Sequence, residues 1–191
     1  MARDTEKTKQ RILDAALTEF TEHGPDGTTV ERIARSAGVN KERIYNYFGN
    51  KHALFAHILD QEMTSATTAL PVPSTGAADI GEYAGNLYDY LEAHPALLRL
   101  LQWEALTLPA PIPGEQQRTH TYAQRTAEFR EGQRTGTFTD TIDAAHLNIL
   151  ILGIAGYWHL LPQVTRMIAA PDEAASRRAA VVEAARRLVT P

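Results

Sequence analysis

The stretch VNKERIYNYFGNKHALF, residues 39–55, sets two tyrosines beside Lys41 and Arg43 on a segment too short for an ordinary helix, stops at Gly49-Asn50, and restarts. Aromatic rings usually belong to a core, so how these are sorted decides what the segment is for. Ile44 and Phe48 are four residues apart and share one helical face. With Ile33 and Ala34 upstream and Val39 in the intervening turn, they make an apolar side expected to face Leu17 and Phe20. Lys41, Glu42, Arg43, Tyr45, Asn46 and Tyr47 remain for the open side. Lys and Arg pair with phosphates or guanine, Asn with adenine, and tyrosine hydroxyls donate to phosphate oxygens. The rings then have a reason to be outside, although Tyr47 is equally suited to packing half-buried on the first helix.

Upstream, Leu13, Ala16, Leu17 and Phe20 fall at i, i+3, i+4 and i+7, a single helical stripe that Gly24 in GPDG (24–27) is placed to end. Thr28 or Thr29 opens the next helix, and Thr28 with Glu31 has the capping-box spacing. That helix ends at Gly38, where a left-handed residue costs least. Only Val39 and Asn40 follow before the next one, for which Asn40 is a good N-cap. Lys51 opens a fourth helix, with Ala53, Leu54, Ile58 and Met63 expected on its buried side. Two short helices joined by a tight glycine turn are the form of a helix-turn-helix, whose second helix enters a major groove.

These residues carry a resemblance. The pattern G-x-x-x-T-T-V-x-x-I-A-x-x-A-G-V-x-x-x-x-I-Y-x-Y-F-x-x-K-x-x-L-F, from Gly24 to Phe55, resembles the DNA-binding domain of TetR-family transcriptional regulators. The resemblance implies phosphate contacts from Tyr45 and from Lys51, which opens the fourth helix, and a helix N-terminus favours phosphate on physical grounds too. It implies a backbone contact from Thr29, and it places Lys41, Glu42, Arg43 and Asn46 where base-reading residues vary between members. One departure stands out. Many members have a small residue, often Gly or Thr, at one or both of the positions held here by Glu42 and Arg43. This pair either forms an internal ion pair or reads a cytosine–guanine step.

Composition narrows the rest. The 191 residues carry a net charge of −4 and no cysteine, which excludes disulfides, zinc–thiolate sites and thiol catalysis. Residues 1–52 hold nine Lys/Arg and eight Asp/Glu, leaving ten and fifteen in 53–191, so the acidic excess lies outside the helix-turn-helix. The charged start is unlike a signal peptide, and the longest apolar run, 147–161, contains Asn148 and His159 and falls short of the ~20 residues of a membrane span. A cytoplasmic protein with no membrane association is expected. The seven histidines are scattered, with no H-E-x-x-H motif and no phosphate-binding glycine loop. No catalytic set, metal site or cofactor is expected.

The expectation is an all-α protein: an N-terminal three-helix helix-turn-helix DNA-binding domain, 1–52, and a C-terminal helical ligand-binding and dimerisation domain, 53–191. TSATTALPVPSTGAA (64–78) reads as a linker or loop, followed by helices near 79–93, 95–108, 115–134, 143–169 and 172–189, with Pro162 kinking the fourth of these. The stretch 143–169 is apolar nearly all round and calls for burial on every side. With the stripe Ala174, Val181, Ala185 and Leu188 of the last helix it suits a four-helix interface between two chains, the homodimer that the resemblance also implies. Leu87, Tyr90, Trp103, Tyr122, Tyr157, Trp158 and His159 are candidates to line an effector cavity, Trp103 first among them. A homodimeric repressor of a palindromic double-stranded operator, released by a small-molecule effector, is the reading these features favour. The alternative is an effector-independent or nucleoid-associated DNA-binding protein acting through protein partners.

Overall fold

The computed structural model describes residues 2–73, 76–109, 111–112, 114–169 and 174–191, of which 2–4 and 77 by their backbone alone. Among the described residues the chain is helical, without strands, and it divides into two compact units. The first comprises Met1–Ser65 and Ala96–Glu115, the second Ala66–Pro95 and Gln116–Pro191. The packing boundary therefore does not follow a single cut in the chain. One helix from the middle of the sequence belongs with the N-terminal ones.

In the first unit, α1 (Ala2–Gly27) bends at Gly24, whose φ of 66° is left-handed, just before Pro25. α2 (Val30–Ala37) starts at Thr29, whose side chain accepts from the Arg32 backbone N–H, so Thr29 and not Thr28 is the cap. Thr28 is buried instead, its hydroxyl donating to the Glu19 carbonyl. Gly38 closes α2 with φ 61°. Arg11 reaches from α1 to donate to the carbonyls of Ala37 and Gly38, fixing that turn. α3 (Lys41–Phe48) follows, with Ile44 fully buried. Asn50 caps α4 (Lys51–Ala69) by accepting from the Ala53 N–H at 2.8 Å. The expected buried set of α4 needs correction: Ala53 is exposed, Met63 is half-buried, and Phe55 and Leu59 join Leu54 and Ile58 inside. Phe55 meets Phe20 edge-on, ring centroids 5.2 Å apart, in a core with Ile12, Ala16, Ile33 and Ile44.

The second unit holds α5 (Ala77–Ala93), α7 (Glu115–Arg134), α8 (Ala144–Leu160), α9 (Pro162–Ile168) and α10 (Ala174–Val189), while α6 (Pro95–Thr107) belongs from Ala96 onward to the first. The expected loop 64–78 is helical as far as Ala69, and positions 74–75 lie outside the described residues. The end of α4 is held by Arg125 on α7, which donates to the carbonyls of Thr67 and Leu70 and to the Tyr83 hydroxyl at 2.8 Å. The expected helix 143–169 is two helices, bent by 89° at Leu161-Pro162. Among the described residues no single helix is long and apolar enough to cross a membrane.

α10 packs close on α5 because Gly81 and Gly85 carry no Cβ: one at Gly85 would lie 2.7 Å from Val182. Of the stripe assigned to a chain–chain interface, Val181 and Ala185 are buried in the unit itself, Leu188 is half-buried and Ala174 is exposed. The outward side of α10 bears Ala179, Ala180 and Ala184. On α8 the reverse holds: burial all round was expected, yet Ile149, Leu150, Tyr157 and Leu160 are exposed along one stripe, Ile149 by 63%. The start of the last expected helix, 172–173, lies outside the described residues.

Candidate functional site

α3 presents a polar face because its one fully buried position, Ile44, fixes its rotation against α1 and α2. Lys41, Glu42, Arg43, Tyr45 and Asn46 are all exposed, Tyr45 by 46% despite its ring. Arg43 forms no ion pair with Glu42 among the described residues; its guanidinium reaches Thr8 on α1 at 3.5 Å, the limit of a hydrogen bond. The internal ion pair weighed for these two residues is therefore replaced by a weak tie to α1, which leaves the Glu42 carboxylate to the open face. Lys41 is engaged by Glu31 of α2 at 3.1 Å in an exposed pair; a backbone hydrogen bond and then Lys41 lower the Glu31 carboxyl, and the hydrogen bond to Glu31 raises the lysine. Such a pair adds little stability and is readily exchanged for a phosphate.

Tyr47 is half-buried, with the Lys9 ammonium 5.7 Å from its ring centroid and Phe48 against its edge. It borders a cleft of about 380 Å³ between α1, α3 and α4, and so stands at the margin of the exposed face. Lys51 donates to the Thr28 carbonyl at 3.0 Å. That bond ties the first residue of α4 to the residue before the α2 cap, so Thr29 and Lys51 are held near each other by one link. The eight residues expected to meet DNA thus occur as an exposed group on α3 flanked by two helix starts.

The seven effector-facing candidates are not assembled in the same way. Trp103 lies in the first unit, where its indole N–H donates to the Thr21 carbonyl at 3.3 Å and its ring covers Gly24. Tyr157 belongs to the outward stripe of α8, and Tyr122 is likewise exposed. Leu87 is buried, Trp158 half-buried, and Tyr90 stacks on His94 at 4.2 Å. His159 does meet α5: its ring lies 4.7 Å from that of Tyr88 and its Nδ1 is 3.4 Å from Glu92. A cleft of about 320 Å³ lined by Leu70, Val72, Glu82, Tyr83 and Asn86 includes none of the seven.

In the sequence Asn148 stands only as an interruption of an apolar run. It is 4% exposed and donates Nδ2 to the Thr126 hydroxyl at 3.2 Å. Because Thr126 gives its one proton to the Tyr122 carbonyl, it must accept from Asn148, and the Asn148 Oδ1 has no partner among the described residues. A buried oxygen in that state costs about 1–3 kcal/mol. Polarity inside an apolar run was the only available signal.

Burial holds the His159 imidazole below its ordinary value of 6.5, against the opposing pull of Glu92. The unfolded chain then binds the proton more readily, so the His159 contribution to stability is complete above about pH 6.5 and is lost as pH falls from there through the folded value. His159→Phe is expected to remove this component. The melting-temperature difference between the parent protein and the variant should shrink from pH 7.5 to pH 5, and a constant difference would contradict the assignment.

Residues 12–58 match the family described as bacterial regulatory proteins, tetR family, and residues 79–187 match the tetracyclin repressor-like C-terminal domain. The chain is 40% identical over 191 residues, 98% of each protein, to the HTH-type transcriptional repressor SCO4008 of Streptomyces coelicolor. It is 26% identical to the HTH-type transcriptional repressor NicS of Pseudomonas putida, over 83% of this chain and 78% of that one. The crystal structure of SCO4942 from Streptomyces coelicolor superposes with a TM-score of 0.83 at 36% identity, covering 95% of this chain and 98% of the other. FadR from Bacillus subtilis, solved with stearoyl-CoA, shares the fold at a TM-score of 0.73 and 18% identity, over 95% and 99% of the two chains.

Proposed function

Because the chain belongs to the TetR family of bacterial transcriptional regulators, we propose that it is a cytoplasmic, homodimeric repressor that reads a palindromic operator with α3 and is released by a small effector held in the second unit. The observation that carries this reading is the exposed face of α3, where Lys41, Glu42, Arg43, Tyr45 and Asn46 stand together around one buried isoleucine. Tyr45, Thr29 and Lys51 hold phosphates and set the register. Arg43 and Asn46 address base edges, with Lys41 and Glu42 beside them and Tyr47 at the rim. For the domains we keep the division into a DNA-binding part, 1–52, and an effector and dimerisation part, 53–191, as the functional one, with α6 packed on the former.

Two copies are needed, because recognition helices about 34–36 Å apart, or a multiple of it, read an inverted repeat. The outward stripe of α8 supports this requirement. Ile149, Leu150, Tyr157 and Leu160 are exposed, and Gly153 among them has open space where a Cβ would be. A second α8, with the alanine side of α10, covers such a face and lets the backbones approach. In the second unit, Leu87, Tyr90, Trp158 and His159, with the Asn148 oxygen that has no partner among the described residues, are the groups proposed to meet an effector, while Tyr122 and Tyr157 stay on the exposed surface of the single chain. The effector acts by differential affinity for two separations of the recognition helices.

Selection of a randomised duplex pool on the purified protein tests this reading. Recovery of an inverted repeat bound by a dimer is expected, whereas salt-sensitive binding to every duplex alike would favour a nucleoid factor. On the recovered site, Tyr45→Phe and Lys51→Ala are expected to weaken all sequences alike, since phosphate contacts carry no base information. Arg43→Ala or Asn46→Ala should instead flatten the preference at one position by ~1–3 kcal/mol. Equal losses on every base at the Arg43 position would refute its base-reading role.

A further inference from the structure

The first helix braces side chains of the reading helix at two points. Thr8 and Lys9 are neighbours on α1, and Arg43 and Tyr47 lie four residues apart on one face of α3. The Arg43 Nη1 donates to the Thr8 hydroxyl at 3.5 Å, and the Lys9 ammonium stands 5.7 Å from the centre of the Tyr47 ring. Lys9 is itself paired with Glu6 at 3.2 Å. Arg11, further along α1, fixes the turn before α3 through the Ala37 and Gly38 carbonyls. One helix thus places α3 as a body and also reaches two of its polar side chains.

Thr8 is the informative member of this brace. It is 4% exposed at a helix start where Glu6, Lys7 and Gln10 around it are exposed. A valine would fill a similar volume with no hydroxyl to take out of water, so burial alone does not ask for threonine. The hydroxyl oxygen has a use: arginine carries donors only, so in the bond with Arg43 it is the acceptor. That bond takes one N–H of Nη1. The N–H groups of Nε and Nη2, side by side on the guanidinium edge, make no bond among the described residues. Such a pair of donors is what meets the O6 and N7 of guanine. A bond at the limit of length steers the side chain without consuming its charge. An arginine already steered loses less freedom when a base takes it, and that saving applies only where the bidentate contact forms.

We infer that Thr8 is a positioning residue for base reading: its buried hydroxyl sets the direction in which Arg43 leaves α3, so that a guanine meets a side chain already placed. This rests on the base-reading role proposed above for Arg43. It deepens that role by naming the base and by adding a determinant of specificity that lies outside α3.

The test uses the full-length protein and four versions of the duplex recovered from selection, one for each base pair at the position that Arg43→Ala identifies. If no duplex is recovered, or if Arg43→Ala leaves the preference for guanine intact, the base-reading role and this inference fall together. Thr8→Val removes the acceptor and keeps the branched shape. It is expected to weaken the guanine duplex by roughly 2- to 10-fold, the cost of ordering one long side chain. The other three duplexes, and the preference at the Asn46 position, should be unchanged. Thr8→Ser keeps the hydroxyl and should retain the parental preference, and Thr8→Val added to Arg43→Ala should change no preference at all. Parental discrimination in Thr8→Val, an equal loss on all four duplexes, or the same loss in Thr8→Ser would overturn the inference and leave Arg43 as a base reader. Should circular dichroism show that Thr8→Val does not fold, Thr8→Ala removes the same acceptor and decides by the same criterion.

Discussion

Phe20→Ala is expected to destabilise the first unit by about 3–5 kcal/mol, the range for truncating a buried phenylalanine. The ring is fully buried and meets Phe55 edge-on at 88°, an arrangement that adds ~0.5–1.5 kcal/mol beyond the area removed from water. It also touches the problem of function directly. Phe20 belongs to the core that sets the rotation of α3 through Ile44, so its loss loosens the exposed face without changing any residue on it. Against the 5–15 kcal/mol of an ordinary domain this is a large fraction. Urea unfolding followed by circular dichroism measures it, with duplex affinity falling in parallel. A loss under about 1 kcal/mol would mean that Phe20 is not part of a packed core.

The second large effect is expected at the outward stripe of α8. Leu150 is 43% exposed in the single chain, so Leu150→Glu should leave the fold of the second unit intact. In the proposed dimer the same position is covered by the partner, and an unpaired buried carboxylate costs about 3–5 kcal/mol. That corresponds to roughly a 10²–10⁴-fold weaker dimer. Sedimentation should show a monomer at concentrations where the parent is dimeric, with an unchanged circular dichroism spectrum. Binding to the inverted repeat should fall to that of a single half-site. A variant that still sediments as a dimer would place the interface elsewhere.

Local chemistry made the first three helices legible. Periodicity, the glycine at 38 and the Thr-Thr step bounded them, and the sorting of Ile44 from its polar neighbours followed from phase alone. Where sequence reading failed, the deciding contacts were distant. The threonine-rich end of α4 reads as a loop, but Arg125, more than fifty residues later, holds its last carbonyls. Val181 and Ala185 of the α10 stripe read as interface residues, but the missing side chains of Gly81 and Gly85 let α10 close on α5 and bury them. The bond of the Trp103 indole to the Thr21 carbonyl was equally illegible, because nothing near Trp103 in sequence reveals that Pro25 leaves that carbonyl without a helical donor. Ala53 and Phe55 exchanged places for a simpler reason: both phases are plausible in a helix whose apolar residues are dense, and only Phe20 decides between them.

The ion pair between Lys41 and Glu31 has a consequence for the search along DNA. A carboxylate 3.1 Å from the ammonium occupies the kind of position a phosphate oxygen would take, so the free protein carries its own weak phosphate mimic. If Lys41 meets phosphate as proposed, each encounter with nonspecific duplex displaces it, and each departure restores it. Counterion release from that lysine is accordingly smaller than from an unpaired one, because an internal anion already neutralises it. On that proposal the pair would shorten residence on wrong sequences and, for the same reason, speed hopping between them.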